Sequence, residues 1–219
     1  MDAVIFDMDG VLIDSEPTHE RIEKEMFHEL GIELTAEEHR AFQGTSSVEM
    51  WQMIVARHSL VQSAAGFSDE HRRRFLGYLR AGEIPLIDGV LGLLGELRAK
   101  GHRLALASSS VRQVVAAVLE TLALTDYFSV LTTGDEVEHS KPAPDIFLMT
   151  ASRLGVSPGD CLVVEDSKNG VAAAKAAGMT CVWYSAADSA GPAGSVADRS
   201  VRSMEELSQL LTRLLSSQQ

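Results

Sequence analysis

The sequence predicts an α/β fold built on a parallel sheet, with an all-helical segment inserted after the first strand. A short apolar run at residues 3–6 stops abruptly at polar residues, which is typical of a buried strand that enters a loop. Residues 15–83 then show only helix-like patterns. From residue 85 onward, apolar runs alternate with helical stretches. This alternation indicates right-handed βαβ units whose strands are covered on both faces.

The inserted segment opens with an amphipathic helix over residues 16–31. Ile22, Met26 and Leu30 recur every four residues with charged residues between them, and Gly31 is suited to end the helix. Further helices are predicted at residues 35–42, 47–58 and 69–81. An insertion at this point of a doubly wound sheet reaches the edge where ligands bind, so we interpret it as a cap. A purely structural excursion is the alternative.

The rest of the chain predicts a regular succession of elements. Strands are expected at residues 103–107, 129–132, 161–164 and 180–184. Helices are expected at residues 90–99, 111–122, 145–154, 169–177 and 203–215. Residues 185–200, rich in Ser, Ala and Gly, are predicted to form a loop. The expected domains are an α/β core of residues 1–14 and 84–219 and a helical cap of residues 15–83.

Composition and charge narrow the possible functions. The 219 residues include 19 Lys and Arg against 31 Asp and Glu, which gives a net charge of −12. Nucleic acids and anionic membranes bind clustered basic residues, so neither is an expected partner. The first residues lack a signal-peptide pattern, and no apolar run is long enough to span a membrane. Cys161 and Cys181 lie in apolar runs, as buried reduced thiols do. We therefore expect a cytoplasmic protein, which we take to act as a monomer.

Polar residues follow four of the predicted strands. In chain order they are Asp7 and Asp9, then Ser108, then Lys141, then Glu165 and Asp166. Because the carboxyl ends of parallel strands share one edge of a sheet, these side chains should converge. Crowded carboxylates repel one another, and Mg²⁺, which prefers oxygen ligands, would relieve this repulsion. A lysine and a serine hydroxyl then remain to hold an anion, so the pattern predicts phosphate-transfer chemistry.

Asp7 and Asp9 are suited to complementary roles. Side chains two residues apart in an extended segment point in the same direction. One carboxylate can act as a nucleophile, while the other donates a proton to the leaving oxygen and later accepts one from water or an alcohol. Gly10 permits the tight turn that brings this loop close to a substrate.

Four motifs occur in a fixed order, each at the end of a predicted strand. They are DMDGVLIDSE at residues 7–16, ASSS at 107–110, SKPAPDIF at 140–147 and VEDSKNG at 164–170. Together they resemble the motifs of the haloacid dehalogenase superfamily, in particular its phosphatase and β-phosphoglucomutase-like branch. The resemblance covers nearly the whole chain and is weakest in the cap. It implies a Rossmann-like core with a helical cap, a Mg²⁺ cofactor and a small phosphorylated metabolite as partner.

The resemblance also implies a role for each matching residue. Asp7 matches the nucleophile that becomes phosphorylated, and Asp9 matches the general acid and base. Ser108 and Lys141 match the groups that bind the transferring phosphoryl group. The implied metal ligands are Asp7, Asp9 through its backbone carbonyl, Glu165 and Asp166. Family members that dehalogenate 2-haloacids lack the second aspartate, so Asp9 indicates phosphate esters.

Substrate contacts are expected at Gly10 and Ser109 in the core and at His19 and Thr45 in the cap. His19 occupies the position of a cap-hinge histidine of mutase-like members, with a solvated first-turn histidine as the alternative. The loop GTSS at residues 44–47 resembles the mutase loop Gly-x-Ser-Arg, but Ser47 replaces the arginine that holds the second phosphate. One of Arg72, Arg73 and Arg74 could substitute for it, unless this triplet forms a solvated helix face.

The expected function is Mg²⁺-dependent hydrolysis of a small phosphate monoester, a sugar phosphate, through an aspartyl-phosphate intermediate. A sugar-phosphate mutase of the β-phosphoglucomutase type is the main alternative, and the loss of the loop arginine favours hydrolysis. A non-catalytic phospho-acceptor module is the remaining alternative, because response-regulator receivers also hold an acidic Mg²⁺ pocket with a lysine. Such receivers are shorter, and they lack the helical insertion and the Asp-x-Asp pair.

Overall fold

The computed structural model describes residues 1–34, 47–185 and 196–216 of the chain. The helix predicted at residues 35–42 lies outside these ranges. The contacts within the chain divide it into two compact units. They are the helical unit, Ser15–Ile84, and the α/β unit, formed by Met1–Asp14 and Pro85–Gln219. In the described ranges, no helix is both long enough and apolar enough to cross a membrane.

Three α-helices make up the described part of the helical unit: α1 (Glu16–Glu29), α2 (Ser47–His58) and α3 (Ala64–Arg80). Trp51 of α2 is fully buried, and its ring stacks on Phe67 of α3 at 4.6 Å between centroids. The ring of Phe27 on α1 lies 5.3 Å away. Aromatic contacts of this kind add to the stabilisation from apolar burial, so these rings anchor the packing of the three helices.

Helix α3 begins at Ala64, whereas the sequence pattern placed its start at residue 69. Ser63 explains the earlier start, because its Oγ accepts a hydrogen bond from Gly66 N at 3.2 Å and so caps the helix. The first turn contains small residues without apolar periodicity, and the sequence pattern therefore missed it.

The α/β unit is built on a six-stranded sheet in which every neighbouring pair of strands is parallel. The strands are β1 (Ala3–Phe6), β2 (Arg103–Ser108), β3 (Val130–Thr133), β4 (Cys161–Glu165), β5 (Thr180–Tyr184) and β6 (Arg199–Val201). Their order across the sheet is β3-β2-β1-β4-β5-β6. The α-helices of this unit are α4 (Val90–Ala99), α5 (Arg112–Thr121), α6 (Asp145–Leu154), α7 (Lys168–Ala176) and α8 (Met204–Ser216). Short 3₁₀ helices lie at Thr125–Tyr127, Gly134–Glu136 and Pro158–Asp160.

Strand β1 lies in the middle of the sheet. Phe6 at its end is opposite Leu106 on β2 and Val164 on β4, so these three strands end at nearly the same level. All four residues of β1 are fully buried, as expected for a parallel sheet covered on both faces. The predicted fold class, an α/β parallel-sheet core with an inserted helical segment, is confirmed.

The sixth strand, β6, lies in a stretch that the sequence analysis interpreted as a loop. Its residues pair with β5, with Trp183 opposite Ser200 and Tyr184 opposite Val201. The predicted loop over residues 185–200 is therefore wrong for residues 199 and 200, which belong to β6. A strand of three residues at the sheet edge, with two of them exposed, carries no apolar run that sequence alone could detect.

Candidate active site

The four strand ends that carry polar residues meet at the carboxyl edge of the sheet. Asp7 directly follows β1, and its N–H donates to Val164 O on β4 at 3.0 Å, which extends the strand pairing by one residue. Ser108 ends β2 on the other side of β1, and Glu165 ends β4. The order of the strands therefore places the carboxylate of Asp7 between residues that are far apart in the sequence.

Lys141 joins two of these strand ends. Its Nζ donates to Asp7 Oδ1 and to Glu165 Oε1, each at 2.6 Å, and to Ala107 O at 3.3 Å. The side chain is only 6% exposed, and Nζ lies 5.0 Å from the centre of the Phe147 ring. Burial alone would lower the pKa of Lys141, but the charges of Asp7 and Glu165 raise it. Lys141 is therefore a cation at neutral pH.

Glu165 is held from both sides of its carboxylate. Oε1 accepts from Lys141, while Oε2 accepts from Ser167 N at 2.8 Å and from Ser167 Oγ at 2.9 Å. Gly170 leaves room for this group, because a Cβ at that position would overlap the carboxylate. Both carboxylate oxygens of Glu165 therefore have partners within the protein, and Glu165 holds the ammonium group of Lys141 in place.

Three carboxylates share this one cation. One oxygen each of Asp7, Glu165 and Asp166 lie within 4.8 Å of one another. Burial, together with the charges of Glu165 and Asp9, raises the pKa of Asp7 to about 8 even though Lys141 opposes the shift. Burial and the neighbouring carboxylates likewise raise the pKa of Asp166 to about 9. If all three carboxylates were ionised, the cluster would carry more negative charge than Lys141 balances, so without a metal ion Asp7 and Asp166 keep their protons to higher pH. A divalent cation, which prefers oxygen ligands, would favour the ionised carboxylates.

The side chains of three of the four predicted metal ligands lie close together. Asp7, Glu165 and Asp166 form the cluster, whereas the side chain of Asp9 is not one of its three members. The ligand predicted from Asp9 is its backbone carbonyl, and this assignment stays a prediction. Gly10 has a φ of +72°, and a Cβ there would overlap the carboxylate of Asp166, so glycine is needed for both reasons.

Residues 108–110, which we call the serine loop, contact Asp9. Ser108 is buried, and its Oγ accepts from Ser110 N at 3.1 Å. Ser110 Oγ in turn donates to Asp9 Oδ2 at 3.3 Å. Ser109 is exposed and available to solvent. The sequence analysis gave Ser110 no role, although the run of three serines after β2 was a signal that could have suggested one.

The cap residues of the sequence prediction lie in the helical unit. Thr45 is outside the described residues, as is the side chain of Ser47. His19 is half-buried; its Nδ1 lies 3.5 Å from His71 Nε2, and its ring stacks on Phe75 with centroids 4.8 Å apart. These contacts exclude the freely solvated histidine of the alternative interpretation. His71 was missed because a single histidine within a helical pattern gives no sign of its partner.

Each member of the arginine triplet on α3 has an acidic partner. Arg72 pairs with Asp69, and Arg73 Nη2 lies 2.6 Å from Glu70 Oε1. Arg74 pairs with Glu70 at 2.7 Å and with Glu29 at 2.6 Å. The triplet therefore serves ion pairs within the helical unit.

Comparison with known proteins places this geometry in a family. Residues 1–178 match the model of the haloacid dehalogenase-like hydrolases. The protein SUPPRESSOR OF QUENCHING 1, chloroplastic, of Arabidopsis thaliana is 38% identical over 82% of this chain, which spans only 17% of that relative. A phosphorylated carbohydrates phosphatase of Thermotoga maritima is 36% identical, with 84% of each chain covered.

A solved structure of a candidate β-phosphoglucomutase from Thermotoga maritima has a TM-score of 0.79 and 31% identity to the chain. The match covers 97% of this chain and 99% of the other. This chain belongs to the haloacid dehalogenase-like hydrolase family. The family predicted from the four motifs is confirmed, and with it the prediction that the protein is a hydrolytic enzyme.

Proposed function

We propose that the chain is a Mg²⁺-dependent phosphatase that hydrolyses a small phosphate monoester, a sugar phosphate, through an aspartyl-phosphate intermediate on Asp7. The observation that carries this proposal is the position of Lys141. Its ammonium lies 2.6 Å from both Asp7 and Glu165, inside a cluster of three carboxylates that it does not neutralise. A fixed cation beside a buried carboxylate suits the binding of a phosphoryl group next to a nucleophile.

In the first step, a carboxylate oxygen of Asp7 attacks the phosphorus, and the bond from phosphorus to the alcohol oxygen breaks. Asp9, protonated at this stage, donates its proton to the leaving oxygen. Ser108 Oγ and Lys141 Nζ bind the oxygens of the phosphoryl group during the transfer. The contacts of Glu165 keep Lys141 in place while Asp7 changes from a carboxylate to an acyl phosphate.

In the second step, water attacks the phosphorus of the aspartyl phosphate. Asp9, now a carboxylate, accepts a proton from this water, and the bond between phosphorus and Asp7 breaks. The products are inorganic phosphate and the regenerated carboxylate of Asp7. The hydrogen bond from Ser110 to Asp9 orients the carboxylate that transfers the proton in both steps.

The residues of the cluster fit a Mg²⁺ ion. The ion would be held by the carboxylates of Asp7 and Asp166 and by the backbone carbonyl of Asp9. Glu165 is the fourth predicted ligand and forms an acidic pair with its neighbour Asp166. The raised pKa values of Asp7 and Asp166 support this fit, because without the ion these carboxyl groups have too little positive charge nearby to ionise fully at neutral pH. A bound cation would lower the pKa of Asp7 and favour the carboxylate that the first step requires. When bound, the ion would neutralise the carboxylates and the phosphoryl oxygens.

The substrate class rests on the relatives. A relative that matches over 84% of each chain is named a phosphorylated carbohydrates phosphatase, which supports a sugar phosphate as substrate. The proposal interprets the helical unit as the cap and keeps the predicted substrate contacts: Gly10 and Ser109 in the core, His19 and Thr45 in the cap. A cytoplasmic location stays our prediction and agrees with two buried free thiols, Cys161 and Cys181.

A mutase of the β-phosphoglucomutase type is the second candidate, because a protein assigned to that class matches the chain over nearly its full length. A mutase needs a second phosphate site. The arginines that could have replaced the missing loop arginine, Arg72, Arg73 and Arg74, each pair with an acidic residue. Those ion pairs favour hydrolysis over transfer to a second hydroxyl.

The test is phosphorus NMR of the protein with Mg²⁺ and a panel of sugar phosphates, including β-glucose 1-phosphate with a trace of the 1,6-bisphosphate. A phosphatase releases free phosphate, whereas a mutase forms glucose 6-phosphate without release of free phosphate. Asp7→Asn should lower the rate by more than about a thousandfold, because it removes the nucleophile and keeps the shape of the side chain.

The control for this experiment is a test of folding. The circular dichroism spectrum of Asp7→Asn should match that of the wild type, and its urea unfolding curve should show a cooperative transition. Substantial turnover by a folded Asp7→Asn variant would disprove the aspartyl-phosphate mechanism. Turnover that survives EDTA would disprove the requirement for Mg²⁺.

A further inference from the structure

The N-terminus of α5 lacks a cap from its own sequence. Val111 occupies the N-cap position and has no side chain that can accept a hydrogen bond. The first N–H of the helix, that of Arg112, instead donates to Asp135 Oδ1 at 3.0 Å. Asp135 belongs to the short 3₁₀ helix Gly134–Glu136 that follows the neighbouring strand β3. We call this short helix the β3 turn.

The β3 turn is itself firmly held. Thr133, which is fully buried and opposite Ser108 in the strand register, donates from Oγ1 to Asp135 Oδ1 at 2.6 Å. Glu136 Oε2 accepts from Thr133 N at 2.9 Å, so the turn forms a capping box. The carboxylate that caps α5 is therefore fixed to the end of β3.

The β3 turn also contacts the backbone of the serine loop. Gly134 N donates to Ser110 O at 3.0 Å. A Cβ at Gly134 would overlap the carbonyl oxygen of Ser109, so the two segments approach more closely than any other residue allows. The φ of Gly134 is not in the left-handed region, which means that the close approach, not the backbone conformation, requires glycine here.

These contacts lead from the β3 turn to the reacting groups. The serine loop carries Ser108, and Ser110 Oγ donates to Asp9. We propose that Gly134 and Asp135 are positioning residues that hold the serine loop at the correct distance from Asp9 and from the bound phosphoryl group. This inference rests on the proposed phosphatase function, because it assigns the loop its task in that reaction.

Steady-state kinetics of four variants test the proposal. Gly134→Ala pushes on Ser109 O, and Asp135→Ala removes the cap of α5, so each should lower kcat/KM about tenfold to a hundredfold. Asp135→Asn keeps an oxygen that can accept from Arg112 N and should stay within about threefold of the wild type. Gly159→Ala is the matched control, because it also lies in a 3₁₀ helix, while a Cβ there would contact nothing.

Separate values of KM and kcat distinguish a displaced serine loop from a simple loss of protein stability. A displaced loop binds the phosphoryl group less well and should raise KM as well as lower kcat. A destabilised but correctly shaped enzyme has fewer active molecules, so its apparent kcat falls while KM stays the same. Wild-type KM in both Gly134→Ala and Asp135→Ala, or an equal loss in Gly159→Ala, would overturn the proposal.

Hydrogen–deuterium exchange of the segment 108–112 gives a result that does not depend on activity. Exchange should be faster in Gly134→Ala and Asp135→Ala than in the wild type, and unchanged in Gly159→Ala. Wild-type exchange in the first two variants would overturn the proposal even if the enzyme is active. If the wild type hydrolyses no phosphate ester, the proposed function fails, and the exchange rates alone decide whether the β3 turn positions the serine loop.

Discussion

Acidic residues occur in groups in both units, but their electrostatic settings are opposite. In the helical unit, hydrogen bonds from Arg73 and Arg74 lower the pKa of Glu70 to about 2, and Arg74 also lowers the pKa of Glu29. At the sheet edge of the α/β unit, burial and neighbouring carboxylates raise the pKa of Asp7 to about 8 and that of Asp166 to about 9. In the helical unit these acids therefore have arginine partners, whereas the three carboxylates at the sheet edge share one lysine.

The comparison of the two units shows what marks a functional site. The burial of the carboxylates and the ratio of acidic to basic side chains around them are better indicators than the number of acidic residues. Arg73 is largely exposed, and Arg74, although its own side chain is only 16% exposed, pairs with acids that reach solvent. Ion pairs in contact with water contribute little to stability and need no further partner. The carboxylates at the sheet edge are shielded from water, so their unbalanced charge disfavours the folded protein until a cation binds. Strongly shifted pKa values of this kind are typical of active sites.

Removal of the central cation in each unit is the strongest way to test this comparison. Lys141→Met leaves Asp7 and Glu165 buried without their partner, so it should lower the free energy of unfolding by about 3–5 kcal/mol. Arg74→Met breaks pairs with acids that reach solvent and should cost less than about 1 kcal/mol. Urea unfolding at neutral pH without Mg²⁺ measures both values.

Turnover provides the second readout for this pair of variants. Lys141→Met should lose most of its phosphatase activity, whereas Arg74→Met should retain that of the wild type. Equal losses of stability in the two variants would contradict the view that the two acidic groups differ in kind.

Binding of Mg²⁺ should affect only the acidic cluster of the α/β unit. At a Mg²⁺ concentration about a hundredfold above Kd, the wild type should gain about 2.7 kcal/mol of stability. Asp166→Asn should gain much less at the same concentration, because it loses a proposed ligand. Glu29→Gln in the helical unit is the control and should respond like the wild type. Thermal unfolding with and without Mg²⁺ measures these differences.

The stability of Asp166→Asn in the absence of Mg²⁺ provides a second test of the same cluster. The pKa of Asp166 is raised in the folded protein, so its carboxyl group costs stability at pH values above its ordinary pKa of 3.8. Asp166→Asn removes that cost and should be at least as stable as the wild type when no Mg²⁺ is present. A clear loss of stability under these conditions would contradict the interpretation of the cluster as unbalanced.

The last prediction concerns a histidine in the helical unit. Burial, followed by the charges of His19 and Arg74, lowers the pKa of His71 from 6.5 to about 3. The unfolded chain therefore binds a proton at higher pH than the folded protein does. The stability contributed by His71 is present above about pH 6.5 and is lost as the pH falls toward 3, by up to about 1.4 kcal/mol per pH unit.

His71→Gln should remove this slope. The measurement is urea unfolding of the wild type and the variant at several pH values between about 7 and 5, with the difference between the two slopes as the readout. Titrating groups that do not contact His71, including Asp7 and Asp166, cancel in that difference. Parallel slopes would mean that His71 becomes protonated in the folded protein.

Much of the fold was predictable because its signals are local. The apolar runs of β1, β4 and β5 and the helical periodicity of α4 and α6 placed these elements within about one residue of their observed bounds. The two failures have a common cause. The start of α3 depends on a cap by Ser63, and β6 depends on pairing with β5, and neither leaves an apolar pattern in the chain.

The residues of the candidate site were also predictable in part. Asp7, Lys141, Glu165 and Asp166 follow strands, and the rule that parallel strands end at one edge was enough to group them. Ser110, Asp135 and His71 were missed. Each makes a contact that sequence alone does not show, because the partner is distant in the chain. The partners are Asp9 for Ser110, the first N–H of α5 for Asp135, and His19 for His71.

The sequence by itself determined the parallel sheet, the helical insertion, and the residue types at the strand ends, because periodicity and strand termination are properties of neighbouring residues. Only the tertiary structure decided how these groups share charge. Lys141 lies 134 positions from Asp7 along the chain, yet their atoms are 2.6 Å apart. The strength of such an interaction depends on distance and exclusion of water, and both are set by packing of the whole unit.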